Sequence, residues 1–201
     1  MKKLLIIIDK PNWAFDIIAS NLIKFNKNNF KIYKKASKDK NFYSYLKKNH
    51  NFFDLIYFMN WANSAKIISP LGYLKIKNTK IEIKYKLIFK KYNFLDYGKV
   101  IAGVHSHHSF DGYKSTPQKD ILPPRNLVSF LNKFQMINCV SNRLFNLLKN
   151  NGVRKIRYTP NGVDADKFSS KNKLFTTDKI KIGCSGTLSR DDKEGISKFI
   201  L

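Results

Sequence analysis

Three histidines crowd one short stretch, Val104-His105-Ser106-His107-His108. Imidazoles change charge near neutral pH, so this stretch suits proton handling, a metal, or a loop that merely contains histidines. No Asp, Glu or Cys stands where it would complete a metal site. Two tryptophans follow apolar runs, in Asn12-Trp13 with Asp16 nearby and in Asn60-Trp61. An indole face stacks on a sugar ring or packs on a sheet, and the residues leave both open. Ser141 and the pair Asn161-Gly162 stand at the ends of two further apolar runs. Gly183-Cys184-Ser185-Gly186 is a glycine turn with Thr187, Arg190 and Lys193 behind it. Turns of this kind bring backbone N–H groups close to a ligand. Asp164-Ala165-Asp166 has the form of a metal-binding pair. It sits between Asn161-Gly162-Val163 and Phe168, however, and reads as turn chemistry. No metal and no cofactor are expected.

These residues share one kind of position: each comes just after a strand-like run. Leu4 to Ile8 is continuously apolar, as in a strand covered on both faces. Phe15, Ile18, Leu22 and Phe25 then recur at helical spacing. Short apolar runs over Phe30 to Tyr33, Asp54 to Met59, Lys99 to Val104, Met136 to Val140 and Arg154 to Tyr158 give five more strands. Helices are predicted around Tyr43 to Lys47, over Leu127 to Phe134, and over Asn142 to Leu148, the last stopped by Asn151-Gly152. Leu71 to Leu95 fits both periods, and a helix is favoured because no Gly or Pro breaks most of that length. Alternating strands and helices predict an α/β chain with a Rossmann-like, doubly wound parallel sheet. In such sheets ligands sit beyond the carboxyl ends of the strands, where the residues above lie. The polar run from Ser169 to Asp178 reads as a linker between residues 1–168 and a second Rossmann-like segment, 179–201.

The chain has 201 residues, ordinary apolar content of 43% and a formal net charge of +24. Such charge suits nucleic acid, an anionic membrane surface or an acidic ligand. It also suits AT-rich coding, because the cations are nearly all Lys and because Asn, Ile, Phe and Tyr are abundant. Arg, the bidentate phosphate reader, occurs only at 125, 143, 154, 157 and 190, which argues against a dedicated nucleic-acid binder. Cys139 and Cys184 lie in apolar runs without CxxC spacing and read as buried, reduced thiols of a cytoplasmic protein. The run after Met1-Lys2-Lys3 is too short for a signal peptide and is closed by Asp9-Lys10. No segment reaches transmembrane length. The Lys-rich side of Leu71 to Leu95 suits either solvent or the anionic inner face of a membrane.

From Asn138 onward the chain resembles glycosyltransferase family 4, retaining enzymes of two-Rossmann-domain (GT-B) architecture. The resemblance runs through Asn138-Cys139-Val140-Ser141, Arg143-Leu144, Leu147-Leu148 and Asn151-Gly152. It continues through Lys155 to Thr159, Pro160-Asn161-Gly162-Val163-Asp164 and Phe168, then Ile182-Gly183-Cys184-Ser185-Gly186-Thr187 and Lys193-Glu194-Gly195. Order and spacing agree over about sixty residues. The first 135 residues match mainly in α/β pattern and in the strand-end His105.

The resemblance implies transfer of a sugar from a nucleotide-sugar to a saccharide or lipid-linked acceptor with retention, as in cell-surface polysaccharide or glycolipid synthesis. His105 would act at the transferred sugar as the catalytic residue. Gly186, Thr187, Arg190 and Lys193 would cradle the donor phosphates, through backbone N–H groups and cations. Thr187 stands where the family usually has Arg, and Glu194 separates Lys193 from Gly195. Lys193 read by itself is equally a solvated residue at a helix start. Asn12, Trp13, Asp16, Asn60, Trp61, His107, Ser141, Asn161 and Gly162 would line the acceptor side or the cleft. The family's donor-gripping glutamates lie deep in its second domain, so this polypeptide alone is expected to transfer no sugar. Two other readings stand beside this one. The chain is a non-catalytic, acceptor-binding half of a split enzyme with a separately encoded donor domain. Alternatively, it is a basic Rossmann-like protein that binds anionic lipid or nucleic acid.

Overall fold

A computed structural model describes residues 1–27, 30–61, 94–106, 122–123 and 125–162. All of them fall in one compact unit, Met1–Val163. The elements are β1 (Lys2–Ile8), α1 (Ala14–Lys24), β2 (Phe30–Ala36), α2 (Phe42–Asn49), β3 (Leu55–Phe58), β4 (Val100–Val104), α3 (Arg125–Leu131), β5 (Met136–Cys139), α4 (Asn142–Asn150) and β6 (Ile156–Tyr158). The ambiguous stretch between Leu71 and Leu95 lies outside the described residues apart from its last two positions. The expected linker and the segment 179–201 lie wholly outside.

The six strands form one sheet in the order β2-β1-β3-β4-β5-β6. Every pairing is parallel. The order reverses between β1 and β3. The chain moves one way from β1 to β2 and the opposite way in every later step. Right-handed crossovers must therefore put α1 on one face and α2, α3 and α4 on the other. The core agrees. Leu5, Ile7, Ile56, Phe58, Val100, Ala102, Val104, Ile137 and Cys139 pack with α2 (Phe42, Leu46), α3 (Leu127, Phe130, Leu131) and α4 (Leu144, Leu147, Leu148). Ile6, Ile8, Ala36 and Met59 pack with Ala19, Phe15 and Ile18 on the opposite face. Strand alternation explains the split, since neighbours in a strand point to opposite faces.

β2 runs three residues beyond the apolar stretch, pairing from Lys2 with Phe30 to Ile8 with Ala36. Lys34 and Lys35 are tolerated because β2 is an edge strand, where charge is normal. Their ammoniums are held by Asp16 and Asp39. The apolar stripe of α1 is only half used. Phe15 and Ile18 pack on the sheet, but Leu22 on the same stripe and Phe25 at its outward edge are 44% and 47% exposed. The buried residues facing α1 lie mostly in the carboxyl halves of their strands, so the last helical turn finds little apolar surface. α3 starts and ends earlier than the periodicity suggests. Lys133 and Phe134 N–H donate to Phe130 and Leu131 in tightened turns, which frees the chain to enter β5.

α4 shows how local sequence sets an element's ends. Ser141 adopts extended backbone, and its Oγ accepts the Leu144 N–H at 3.3 Å, a helix N-cap. At the other end Gly152 takes φ +95°. The Gly152 N–H donates to Lys149 at 3.1 Å and the Val153 N–H to Leu148 at 3.0 Å. That pair of bonds is a Schellman motif, with buried Val153 and Leu148 as its apolar contact.

Candidate functional site

The carboxyl edge of the sheet gathers most of the residues singled out above. At the end of β1 the chain turns sharply through Asn12, whose φ of +60° lies in the left-handed region that Asn tolerates. The Asn12 N–H donates to Asp16 Oδ2 at 2.8 Å, and Lys34 donates to Asp16 Oδ1. The Lys34 bond, followed by the Asn12 bond, holds the Asp16 carboxyl below its ordinary range. The first turn of α1 thus already holds a carboxylate of its own. A helix N-terminus of a Rossmann-like fold commonly receives phosphate, but the first turn of this one carries the Asp16 carboxylate.

Trp13 caps α1 without a side-chain hydrogen bond and is 52% exposed. The Lys10 ammonium stands 3.2 Å from its ring centroid and that of Lys38 5.8 Å. Trp61 differs: it is 1% exposed and packs on Phe130 of α3, with ring centroids 6.1 Å apart. Its ring belongs to the core on the face opposite α1 and offers no surface for stacking. Asn60, just before it, is half-buried at the end of β3.

His105 follows β4 on the α1 face. Its ring meets Phe15 edge-on at 4.7 Å. Beneath it, the Met59 carbonyl leans over Gly103: a Cβ at Gly103 would come within 2.3 Å of Met59 O and 3.0 Å of His105 Nε2. Burial pulls His105 down from 6.5 to about 4, partly opposed by the nearby Met59 backbone. The ring is therefore neutral at physiological pH. Its Nε2 is buried without a hydrogen-bond partner among the described residues, as are Asp9 Oδ1 and Asn138 Oδ1. A neutral imidazole of this kind can exchange a hydrogen bond or a proton but supplies no positive charge.

Ser141, at the end of β5, uses its hydroxyl as the α4 cap. Asn161 and Gly162, just past β6, are exposed, and among the described residues nothing lies within 4 Å of a Cβ at Gly162. The structure thus brings Asn12, Trp13, Asp16, Asn60 and His105 to the ends of β1, β3 and β4, around the point where strand order reverses. It leaves Ser141, Asn161 and Gly162 further along the same edge. His107, Gly186, Thr187, Arg190 and Lys193 lie outside the described residues. Among the described residues, no group of three His, Cys, Asp or Glu side chains could hold a metal. No described helix is long and apolar enough to cross a membrane.

Two further polar residues stand near this edge, Ser37 and Tyr57, and Asn138 of the resemblance joins the second. Ser37 at the end of β2 is 4% exposed, and its N–H donates to Ile8 O at 2.8 Å. Tyr57 and Asn138 reach across β4, Asn138 Nδ2 donating to the Tyr57 hydroxyl at 3.1 Å. Burial raises the Tyr57 hydroxyl above its ordinary value, against the Asn138 bond. The available signal was parity. Tyr57 shares a face with Met59, and the apolar appearance of Leu55 to Phe58 concealed it. No family model matches the chain, and no curated protein or solved structure is significantly similar to it.

Proposed function

We propose that this chain carries the acceptor-side domain of a retaining GT-B glycosyltransferase resembling family 4. It acts with a nucleotide-sugar donor and a saccharide or lipid-linked acceptor. One observation supports the reading: the motif residues between Asn138 and Gly162 follow the strand–cap–helix–strand order expected from the resemblance. Asn138 and Cys139 close a parallel strand, and Ser141 caps the helix after it. Gly152 ends that helix, and β6 leads to Asn161-Gly162 at the carboxyl edge. His105 stands on the same edge, two strands from β6.

In this reading the neutral His105 ring exchanges a hydrogen bond with a hydroxyl of the transferred sugar or acceptor. It carries no charge, so the diphosphate leaving group must be balanced by cations elsewhere, the part assigned to Arg190 and Lys193. Trp13, half-exposed at the head of α1, offers an indole face to a sugar ring. Asp16 orders the turn that presents Trp13, accepting from the Asn12 N–H and from Lys34.

The test is saccharide binding followed by NMR on the labelled chain, with the Trp13 indole and His105 ring as reporters. A panel of neutral and acidic oligosaccharides and lipid-linked sugars should include members that shift both signals together, and Trp13→Ala should weaken their binding. If no saccharide perturbs either ring while duplex DNA binds tightly at physiological salt, the transferase reading fails and a nucleic-acid role replaces it.

A further inference from the structure

We infer that the outward face of α1 docks on an anionic lipid surface. At 100° per residue, Trp13, Ile17, Lys24 and Phe25 fall within an arc of roughly 120°. That arc points away from Ala19, the fully buried residue of the helix. Three large apolar side chains lie open along it: Trp13 is 52% exposed, Ile17 60% and Phe25 47%. Each aromatic ring has a lysine over it: Lys10 at 3.2 Å and Lys38 at 5.8 Å from Trp13, and Lys24 at 4.5 Å from Phe25. No acidic residue falls in the arc. The helix's acid, Asp16, is neutralised by Lys34 on the flank.

Apolar tips with ammoniums beside them are what a membrane interface accepts. The rings and Ile17 enter the acyl boundary while the lysines stay with the headgroups. Exposed Ile17, in the middle of the patch, gains nothing from a phosphodiester backbone, and no Arg lies in the arc, so nucleic acid fits it poorly. The chain's net charge of +24 adds long-range attraction to an anionic leaflet. Docked this way, the head of α1 brings the strand ends carrying Asn60 and His105 toward the lipid. The inference does not rest on sugar transfer, since its readout is vesicle binding alone.

The whole chain is sedimented at physiological ionic strength with vesicles of mixed phosphatidylglycerol and phosphatidylcholine, and with phosphatidylcholine alone. Binding should need the anionic lipid. The charge-neutral pair Trp13→Ser/Ile17→Ser should weaken it about tenfold or more. Lys10→Gln/Lys38→Gln should weaken it about fivefold per lysine. Lys47→Gln/Lys48→Gln removes the same charge from exposed positions of α2, on the opposite face of the sheet, and should change binding far less. In the unmodified chain Trp13 emission should shift to the blue and be quenched by brominated lipid, while buried Trp61 stays unchanged. That measurement needs no variant to fold. Wild-type affinity in the serine pair, equal losses from both lysine pairs, or no binding to anionic vesicles overturns the inference. DNA binding without vesicle binding also overturns it.

Discussion

Acidification from about pH 7.5 to about pH 5 protonates His105 in the unfolded chain but not in the folded one. Burial pulls the folded-state value down from 6.5 to about 4. Between those values the unfolded state holds one more proton, so stability rises with pH across the window. The contribution is fully present above about 6.5, falls as pH drops, and is exhausted below about 4. At about 1.4 kcal/mol per unit, the loss down to pH 5 is about 2 kcal/mol, and the full loss is about 3 kcal/mol. Urea unfolding of the native chain and of His105→Gln at matched pH values isolates this term, because the remaining carboxylates and histidines titrate in both. The difference in unfolding free energy between the two chains should change by about 2 kcal/mol between pH 7.5 and 5, in the direction that penalises the histidine at low pH. The His105 ring should also keep its neutral-form NMR shifts down to about pH 5. A His105 midpoint near 6.5, or parallel stability curves for the two chains, would refute the enclosure of this ring by Phe15, Met59 and Gly103.

Gly103→Ala should destabilise the fold by about 2–3 kcal/mol in urea, because the new methyl collides with backbone of the neighbouring strand, which cannot rotate away. A neutral effect would mean that Met59 O does not lean over β4. Gly152→Ala should cost about 1 kcal/mol from its left-handed backbone alone, since the nearest atom to the added methyl, Val128 Cγ1, is at an ordinary 3.6 Å. Thermal melts that show no loss would contradict the Schellman end of α4. Asp16→Asn breaks the Lys34 ion pair and should cost about 0.5–1 kcal/mol at neutral pH. The Asp16 carboxyl is held low, so its contribution should be present above about pH 4 and vanish as pH falls through the lowered value. Native and variant stabilities that fail to converge in acid would rule that out.

The sequence alone determined the class of the fold. Continuous apolar runs such as Leu4 to Ile8 demand a strand covered on both faces, and runs alternating with helical spacing demand parallel crossovers. It also determined the ends of α4, because a Ser cap and a Gly in left-handed backbone act through hydrogen bonds spanning only a few residues. Which strands are neighbours emerges from the folded chain, since the order β2-β1-β3 depends on contacts far apart in the chain. The two tryptophans make the same point. Asn12-Trp13 and Asn60-Trp61 look alike in sequence, yet one indole is half-exposed at the head of α1 and the other is sealed against Phe130. The histidine residue type marked position 105 for attention. Its neutrality comes from Phe15, Met59 and Gly103, whose approach no local pattern encodes, because burial and the charge state it imposes are set by what packs from elsewhere in the chain.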